Sequence, residues 1–350
     1  MSFLVVSHQH ELIPFAYRLK HQGHNTQLLV CSERFEKAWE GKFDHFMPAA
    51  DVNKENLEPT LEMAKRGEVT VLSDNRSTSR MFEGVETFYG ICEMEEYPLP
   101  RGPLRFGGWF NGEEIVNQHV IVCDEGAWPG GLGPQRLGGL TLIRLSDEHS
   151  MLLDQVSAGL MDLWRSKYKF QGLVQIGIEE TAQGEVVVQG VQCGWPTLQS
   201  HAFVSELEDF AGLLAGDSVE LPQRVVVVVP ISIPPWPVLI RESRRKHESR
   251  EGPVELTASR PVEGLTPKQV AQVFWHDVVL NTDDKTISSG GLDGLLGVAR
   301  GAAGNVALAR ARAVGIAAAL RVDEKQCRPD VGALVDQALA GIETRFGIVP

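Results

Sequence analysis

Residues 3–31 read FLVVSHQHELIPFAYRLKHQGHNTQLLVC, and this stretch decides the class of the fold. Two apolar runs, residues 3–6 and 26–31, have the length and composition of buried β-strands. The segment between them carries apolar side chains at the spacing of one helical face, namely Leu12, Phe15, Ala16 and Leu19. Gly23 is placed to end that helix. A strand, a helix and a second strand in this order predict a doubly wound α/β domain with a parallel sheet.

The composition around this stretch is that of a globular protein. The chain has 350 residues, is 43% hydrophobic and carries a net charge of −13. This length suits two or three domains. No run of 18 apolar residues occurs and the first residues lack signal-peptide features, so we expect neither a membrane partner nor secretion. The acidic balance argues against wholesale coating of nucleic acid, but it leaves room for a local basic patch.

The cysteines predict no structural cross-links. Five cysteines are scattered along the chain, and no pair has C-x-x-C spacing. This pattern predicts neither a disulfide framework nor a zinc site, and we therefore predict no metal. A reducing cytoplasm is the expected location. Cys193 has no nucleophile motif around it and is interpreted as a small buried residue.

Changes in sequence texture divide the chain into three predicted domains. Residues 1–96 form the α/β domain, residues 97–222 a turn-rich and strand-rich core, and residues 223–350 a β-rich domain that also contains helices. The core is predicted to begin with a glycine-rich loop at 127–139 and a helix at 146–168. A hairpin is predicted at 170–192 and a second helix at 204–216. In the last domain, VVVVVP predicts a buried strand at 225–230, and an alanine-rich helix is predicted over 305–322.

The order of these pieces resembles phosphoribosylamine–glycine ligase, an ATP-grasp enzyme. The loop PGGLG at 129–133 follows the acidic residues 124–125, as a TGGMG loop follows acidic residues in that family. The segment 170–196 resembles the family's strand pair that ends in E-x-N-x-R-x-G-D-P-E, and residues 288–332 follow its GGR…RxDIG pattern. The resemblance implies an ATP-grasp-like α/β fold with an N-terminal doubly wound parallel domain and a C-terminal β-rich domain.

Three departures from the family pattern concern ATP. Residues 7–10, SHQH, replace a glycine turn whose backbone approaches phosphate. Residues 76–100 connect the first domain directly to the core, so the lid subdomain that contacts ATP is predicted to be deleted. The metal-holding Glu and Asn correspond to Gln189 and Val191, or to Val188 and Gly190 with a different gap. Magnesium prefers anionic oxygens, so we predict no cofactor, with Mg-ATP expected only if a ligase activity survives.

The resemblance also implies a substrate. The family joins glycine to a phosphorylated sugar amine, and a scaffold without ATP needs an acceptor that is already activated. We therefore predict an amino acid transferase, with glycine as the expected amino acid and pyrophosphorylated 5-hydroxymethyluracil in viral DNA as the acceptor, in the cytoplasm of a bacterium or an infected bacterial host. The alternatives are a divergent ATP-dependent ligase and a non-catalytic binding protein that retains the fold.

The glycine-rich segment and the two acidic residues before it supply two groups of candidate site residues. Asp124 and Glu125 could bind the ammonium group or act as the general base, or they could cap a turn. The glycines of the loop could admit a ligand close to the backbone, or they could form a plain turn; these are Gly130, Gly131 and Gly133.

Three further groups complete the prediction. Gln189, Gln192 and Trp195 occupy the lost metal site and could read and stack a base, or they could be residues of a dead pocket. Gly290, Gly291 and Asp293 match the family's GGR turn, although Leu292 replaces its Arg. The densest basic cluster could bind DNA phosphates or form a solvated loop, and it comprises Arg241, Arg244, Arg245 and Lys246.

Overall fold

The computed structural model describes most of the chain. The described residues are 1–7, 12–30, 45–47, 54–74, 82, 85–145, 157–180, 183, 185–217, 219, 221–222, 225–234, 236, 259–280, 286–291 and 294–346. In this part of the chain, no helix is long and apolar enough to cross a membrane.

The N-terminal part contains the predicted parallel sheet. Its elements are β1 (Ser2–Ser7), α1 (Ile13–His21), β2 (Asn25–Val30), β3 (His45–Met47), α2 (Lys54–Lys65), β4 (Thr70–Ser73) and β5 (Phe88–Tyr89). The strand order is β3-β2-β1-β4-β5, and every neighbouring pair is parallel. Helix α1 begins with Pro14 in its first turn and buries Phe15 and Leu19 on the predicted face. The doubly wound α/β prediction is confirmed.

A large sheet of nine strands follows. Its strands are β6 (Leu104–Phe110), β7 (Ile115–Trp128), β8 (Leu132–Arg144), β9 (Gly172–Glu180), β10 (Val186–Gly194), β11 (Val225–Ser232), β13 (Val273–Trp275), β16 (Leu295–Ala303) and β17 (Gln326–Cys327). The order is β10-β9-β6-β7-β8-β11-β16-β13, with β17 on β11, and neighbours are antiparallel. A separate small sheet contains β12 (Pro261–Val262), β14 (Val278–Leu280) and β15 (Ile287–Ser289).

The glycine-rich segment at 127–139 is not the predicted loop. Strands β7 and β8 run through most of it as one hairpin, and only the 3-10 turn Pro129–Gly131 joins them. The glycines serve close packing in the strands: a Cβ on Gly138 would lie 1.9 Å from the carbonyl oxygen of Gly126. The composition of this segment is therefore that of a crowded hairpin rather than of a turn.

The remaining helices cover both faces of the large sheet. They are α3 over 157–163 with a π-helical turn at Trp164–Tyr168, α4 (Thr197–Glu206), α5 (Phe210–Leu214), α6 (Pro267–Val270), α7 (Val306–Ala319) and α8 (Val335–Phe346). The single helix predicted over 204–216 is divided, because Leu207 is extended and the Asp209 side chain accepts from Gly212 N to begin α5.

Two large apolar cores hold the layers together. One core joins α1 and the parallel sheet to α4, α5 and one face of the large sheet, with Phe15, Phe203 and Val228 among its members. The other core lies on the opposite face and includes Trp164 and Ala313. Burial of this apolar surface is the main force that fixes the layers. The two boundaries between the three predicted domains remain predictions, but β8 and β11 pair across residue 222 within one sheet.

Candidate functional site

The predicted site residues lie in three separate regions of the described structure. Gln189, Gln192 and Trp195 lie on or just after β10, the residues from Asp124 to Gly133 lie on the β7–β8 hairpin, and Gly290 and Gly291 follow β15. Other predicted residues lie outside the described residues, namely Arg241, Arg244, Arg245, Lys246 and Asp293. The side chain of Glu125 is likewise outside what the structure describes.

The edge of β10 is covered by residues 90–101, which we call the strap. Cys92 forms an isolated antiparallel bridge with Cys193, and Val191 N donates to Pro98 O over 2.8 Å. Further along, Arg101 N donates to Gln189 Oε1 over 3.1 Å. Every residue of the strap is described, and it contains no helix and no lid-sized insertion. The chain therefore passes from the parallel sheet to β6 along the strand where the family holds its metal.

Both alignments of the metal-holding positions meet packed protein. Val191 is 4% exposed and belongs to the apolar core. A Cβ on Gly190 would lie 2.8 Å from Pro98 O and 2.9 Å from Leu99 O, so a longer side chain has no room there. Gln189 presents a neutral amide that already accepts from the strap. Among the described residues, no group of three His, Cys, Asp or Glu side chains is arranged to hold a metal ion.

Trp195 is a core residue in this conformation. Its side chain is 5% exposed, and its indole N–H donates to Tyr89 O over 3.1 Å. Its ring packs near Phe15 and Trp109, with centroids 5.8 and 6.3 Å away. A base could stack on this ring only after the ring had left the core, so the structure places Trp195 as packing rather than as an open stacking surface.

Beside β10, the large sheet carries buried polar groups that the sequence did not single out. Gln192 is opposite Gln175, whose Oε1 accepts from Arg105 Nη1 over 2.8 Å. His119 is fully buried: its Nδ1 lies 2.9 Å from Asn117 O, and its Nε2 lies 2.9 Å from Gln199 Nε2. Burial lowers the pKa of His119 to about 4, so the ring is neutral at pH 7. His119 therefore carries its proton on Nδ1 and donates it in a hydrogen bond to the Asn117 carbonyl, and its Nε2 accepts from the Gln199 amide.

Asp124 is tied to the C-terminal segment of the chain. It is 3% exposed, and its Oδ2 accepts from Gly332 N over 2.8 Å while its Oδ1 lies 3.3 Å from Arg328 Nη2. Arg328 also donates to Gly126 O and to Asp330, and Asp330 accepts from Gly130 N over 2.8 Å. Burial raises the pKa of Asp124, and the Gly332 N–H and Arg328 oppose this only in part. This arrangement favours the structural interpretation of Asp124 over a general base, and its catalytic role stays a prediction.

The tip of the β7–β8 hairpin is exposed around the predicted glycine loop. Trp128 is 44% and Leu132 67% exposed. Gly130 has a φ of 72°, which favours glycine, and a Cβ there would meet open space. Gly131 ends the same turn, and Gly133 is the second residue of β8. The loop glycines thus shape a turn that Asp330 anchors, and ligand binding at them stays a prediction.

The turn after β15 meets a second buried polar cluster. Gly290 N donates to Asp277 O over 2.9 Å, and a Cβ on Gly290 would lie 2.3 Å from Asp277 Oδ1. Asp277 Oδ2 accepts from Gly294 N over 2.9 Å. The neighbouring His276 contacts His201 of α4. Gly290 is thus required by the close approach of a buried carboxylate, which the sequence pattern alone did not reveal.

The C-terminal edge of the parallel sheet, beside the replaced glycine turn, carries a carboxylate. Ser7 Oγ donates to Asp74 Oδ2 over 2.8 Å and lies 3.4 Å from Leu12 N. A carboxylate at this edge repels a phosphate group, whereas a free helix N-terminus would attract one. This local charge agrees with the loss of the family's phosphate turn.

Comparison of the sequence with known proteins gives no relative. No protein-family model matches the chain, and no curated protein matches it.

Comparison of the structure gives clear neighbours. Phosphoribosylamine–glycine ligase from Thermotoga maritima is 11% identical with a TM-score of 0.60, and the match covers 95% of this chain and 100% of the ligase. Kluyveromyces lactis urea carboxylase is 10% identical with a TM-score of 0.56, over 99% of this chain and 32% of that protein. Biotin carboxylase from Campylobacter jejuni, solved as a β-γ-ATP complex, is 9% identical with a TM-score of 0.52, over 93% and 92% of the two chains. The chain therefore has an ATP-grasp-like α/β fold similar to that of phosphoribosylamine–glycine ligase.

Proposed function

We propose that this protein is an ATP-independent transferase that forms a C–N bond between an amino acid, expected to be glycine, and an acceptor that is already activated. The observation that carries the proposal is the strap on β10. It fills the space beside Gly190 and occupies the amide of Gln189, where the resembling family holds magnesium. Without a metal to neutralise the phosphates, transfer from ATP is strongly disfavoured.

An activated acceptor removes the need for ATP. The amine nitrogen of the amino acid attacks the acceptor carbon and forms the C–N bond. The bond from that carbon to the pyrophosphate oxygen breaks, pyrophosphate leaves with the electron pair, and the ammonium product gives one proton to a base. The protein has only to orient the amine, accept this proton and stabilise the leaving charge. Glu125 is the proposed base, since Asp124 is engaged with Arg328.

The proposed acceptor is pyrophosphorylated 5-hydroxymethyluracil in viral DNA. The support is chemical: this acceptor carries its own leaving group, and the chain contains a basic cluster at Arg241 and Arg244–Lys246 that could bind DNA phosphates. Similarity of fold by itself does not assign a substrate.

A divergent ATP-dependent ligase is the second proposal. The similarity to phosphoribosylamine–glycine ligase along the whole of that enzyme favours it. It requires Mg-ATP to bind although the described metal-holding positions carry Gln189 and Val191, or Val188 and Gly190. A binding protein that has lost catalysis would bind the amino acid and release no pyrophosphate.

Thermal-shift titrations with glycine and with Mg-ATP, side by side, separate these proposals. The transferase should be stabilised by glycine and unaffected by Mg-ATP, and it should release pyrophosphate from pyrophosphorylated DNA when glycine is added. Stabilisation by Mg-ATP, together with ATP-dependent product formation, would overturn the transferase proposal in favour of the ligase proposal. Glycine binding without pyrophosphate release from that DNA would favour the proposal of a non-catalytic binding protein.

A further inference from the structure

Two adjoining grooves lie on either side of helix α6. The first has a volume of about 510 Å³ and lies between α1 and β13, with Arg18 and His21 in its lining. The second has a volume of about 450 Å³ and extends towards α7, with Lys268 and Arg312 in its lining. Arg300 lines both grooves and so connects them. Each volume falls in the range of ligand-binding clefts, which is roughly 300–1,000 Å³.

The charge of this paired surface is opposite to that of the whole chain. Five cationic or titratable basic side chains line the two grooves, and no carboxylate is among the described lining residues. The protein as a whole carries a net charge of −13. Concentrating cations in a concave surface raises the local concentration of anions, even on an acidic protein.

The two arginines at the junction lie close to each other and to one buried carboxylate. The buried carboxylate Glu206 lies 3.7 Å from Arg300 Nη1, and it is the acidic group that Arg18 and Arg300 share. Burial lowers the pKa of Arg18, and so does the positive charge of Arg300, because the two guanidinium groups repel each other. Arg18 Nε is buried and has no hydrogen-bond partner among the described residues. An anion in the grooves would offset the repulsion between the two guanidinium groups.

Aromatic side chains line the first groove beside these cations. Tyr17, Phe274 and Trp275 form part of its wall. The Tyr17 ring stacks on His21, with centroids 6.0 Å apart and planes at 28°. Cationic grooves with aromatic walls are the recurring solution for single-stranded nucleic acid, because every base has a face to stack and every phosphate a charge to neutralise.

We infer that the paired grooves bind a single-stranded segment of DNA. Phosphates contact Lys268, Arg300 and Arg312, and an unpaired base enters the first groove beside Tyr17. A duplex has no unstacked base to place in such a cleft, so the single strand fits better. The inference rests on the proposed function only in taking DNA as the acceptor, and it is tested by binding without turnover.

The test is fluorescence anisotropy of a labelled oligothymidylate of about 12 nucleotides with the full chain, across a salt series. The K268E/R312E variant reverses two exposed charges and leaves the arginines at the junction in place. We expect at least a 10-fold loss of affinity at low salt. The slope of log affinity against log salt should fall by roughly 1.4, since each single-strand phosphate contact contributes about 0.7. An abasic deoxyribose–phosphate oligomer should bind more weakly than oligothymidylate, because it offers no base to stack.

The matched control is K65E/R66E at the C-terminal end of α2 and the residue after it, which makes the same charge change away from the grooves at side chains that are 52% and 58% exposed. Its affinity should stay close to that of the unmodified protein. Absence of oligothymidylate binding, equal losses in the two variants, or equal competition by duplex DNA would overturn the inference. DNA binding without pyrophosphate release would instead overturn the proposed reaction and leave this surface assignment intact.

Discussion

His201 and His276 face each other through their Nε2 atoms, 2.9 Å apart, and both side chains are completely buried. The Nδ1 atom of His201 also contacts Thr197 O, so its proton lies there and its Nε2 accepts from His276. The ring of Phe15 packs 5.2 Å from His201, and that of Phe274 packs 4.9 Å away. This buried histidine pair therefore joins α1, α4 and the strands around residue 276 at one junction.

The free energy of unfolding should fall steeply in mild acid because two histidine rings, His201 and His119, are buried. Burial lowers the pKa of both His201 and His119 from 6.5 to about 4. Between these values the unfolded chain binds protons that the folded chain does not, so stability is complete above about pH 6.5 and is lost as the pH falls towards 4. Each ring should contribute on the order of 3 kcal/mol to this loss. Urea unfolding between about pH 7.5 and pH 5 should show roughly 2 kcal/mol of this loss for each ring, because pH 5 lies between the two pKa values.

The variant H119Q/H201Q supplies the control for this pH effect. It should be less stable at pH 7.5 and should show a flatter dependence of the free energy of unfolding on pH. An unaltered slope in the double variant would show that other groups cause the acid sensitivity.

The Asp124–Arg328 contact should contribute to folding. Arg328→Met leaves the Asp124 carboxylate buried without its cation, and we expect a loss of about 3–5 kcal/mol in the free energy of unfolding. Adding Asp124→Asn to that variant should recover part of the loss, because the buried charge is then removed. The exposed pair Lys65–Glu62 is the comparison, and Lys65→Met should cost about 1 kcal/mol or less. If Asp124→Asn kept full stability and abolished pyrophosphate release, Asp124 would be the catalytic base.

The strap can be tested by one added methyl group. In Gly190→Ala the new Cβ would lie 2.8 Å from Pro98 O, so we expect a destabilisation of about 1–3 kcal/mol. Gly315 in α7 has no heavy atom within 4 Å of an added Cβ, and Gly315→Ala should stabilise the helix by about 1 kcal/mol. Chemical denaturation of the two variants gives both numbers. A Gly190→Ala protein as stable as its parent would mean that the space beside β10 is open and would revive the ligase proposal.

The strap also brings two free thiols together. Cys92 and Cys193 are opposite each other in an antiparallel bridge, and their side chains hydrogen-bond. Opposed residues in such a bridge have Cα atoms about 4.5–5.5 Å apart, within the range a disulfide needs. Diamide should therefore join these two cysteines, which peptide mass mapping after alkylation would detect. Burial raises the pKa of Cys193, so the reaction should be slow at pH 7. A cross-link to any other cysteine instead would contradict this placement of the strap.

Local patterns in the sequence were sufficient for many of the elements and for the parallel sheet, but not for the contacts between residues that are distant in the chain. The predicted strands at residues 3–6 and 26–31 and the hairpin over 170–192 follow from periodicity. The structure has strands at Ser2–Ser7 and Asn25–Val30, and it pairs β9 with β10. The segment 127–139 was wrongly predicted to be a loop, because a high glycine content occurs both in turns and in closely packed strands. Only the approach of Gly126 to Gly138 separates the two, and that contact is a tertiary one.

The buried polar groups of the candidate site could not be predicted from the sequence for a similar reason. His119 and Gln199 are 80 residues apart along the chain, and His201 and His276 are 75 apart. No motif links such residues, because the sheet and not the local sequence brings them together. The grooves beside α6 also combine α1 with strands that follow some 250 residues later, so their basic lining could not be seen as one cluster.

The basic cluster of the sequence provides the last prediction. Reversing Arg244, Arg245 and Lys246 to Glu changes the charge by six in a segment outside the described residues. If the segment contacts DNA phosphates, each lost contact removes counterion release, and we expect retention on a DNA column at low salt to be lost. The K65E/R66E protein should elute as the parent does. Retention of the triple variant at the parent's salt concentration would identify the segment as a solvated loop and leave the paired grooves as the DNA-binding surface.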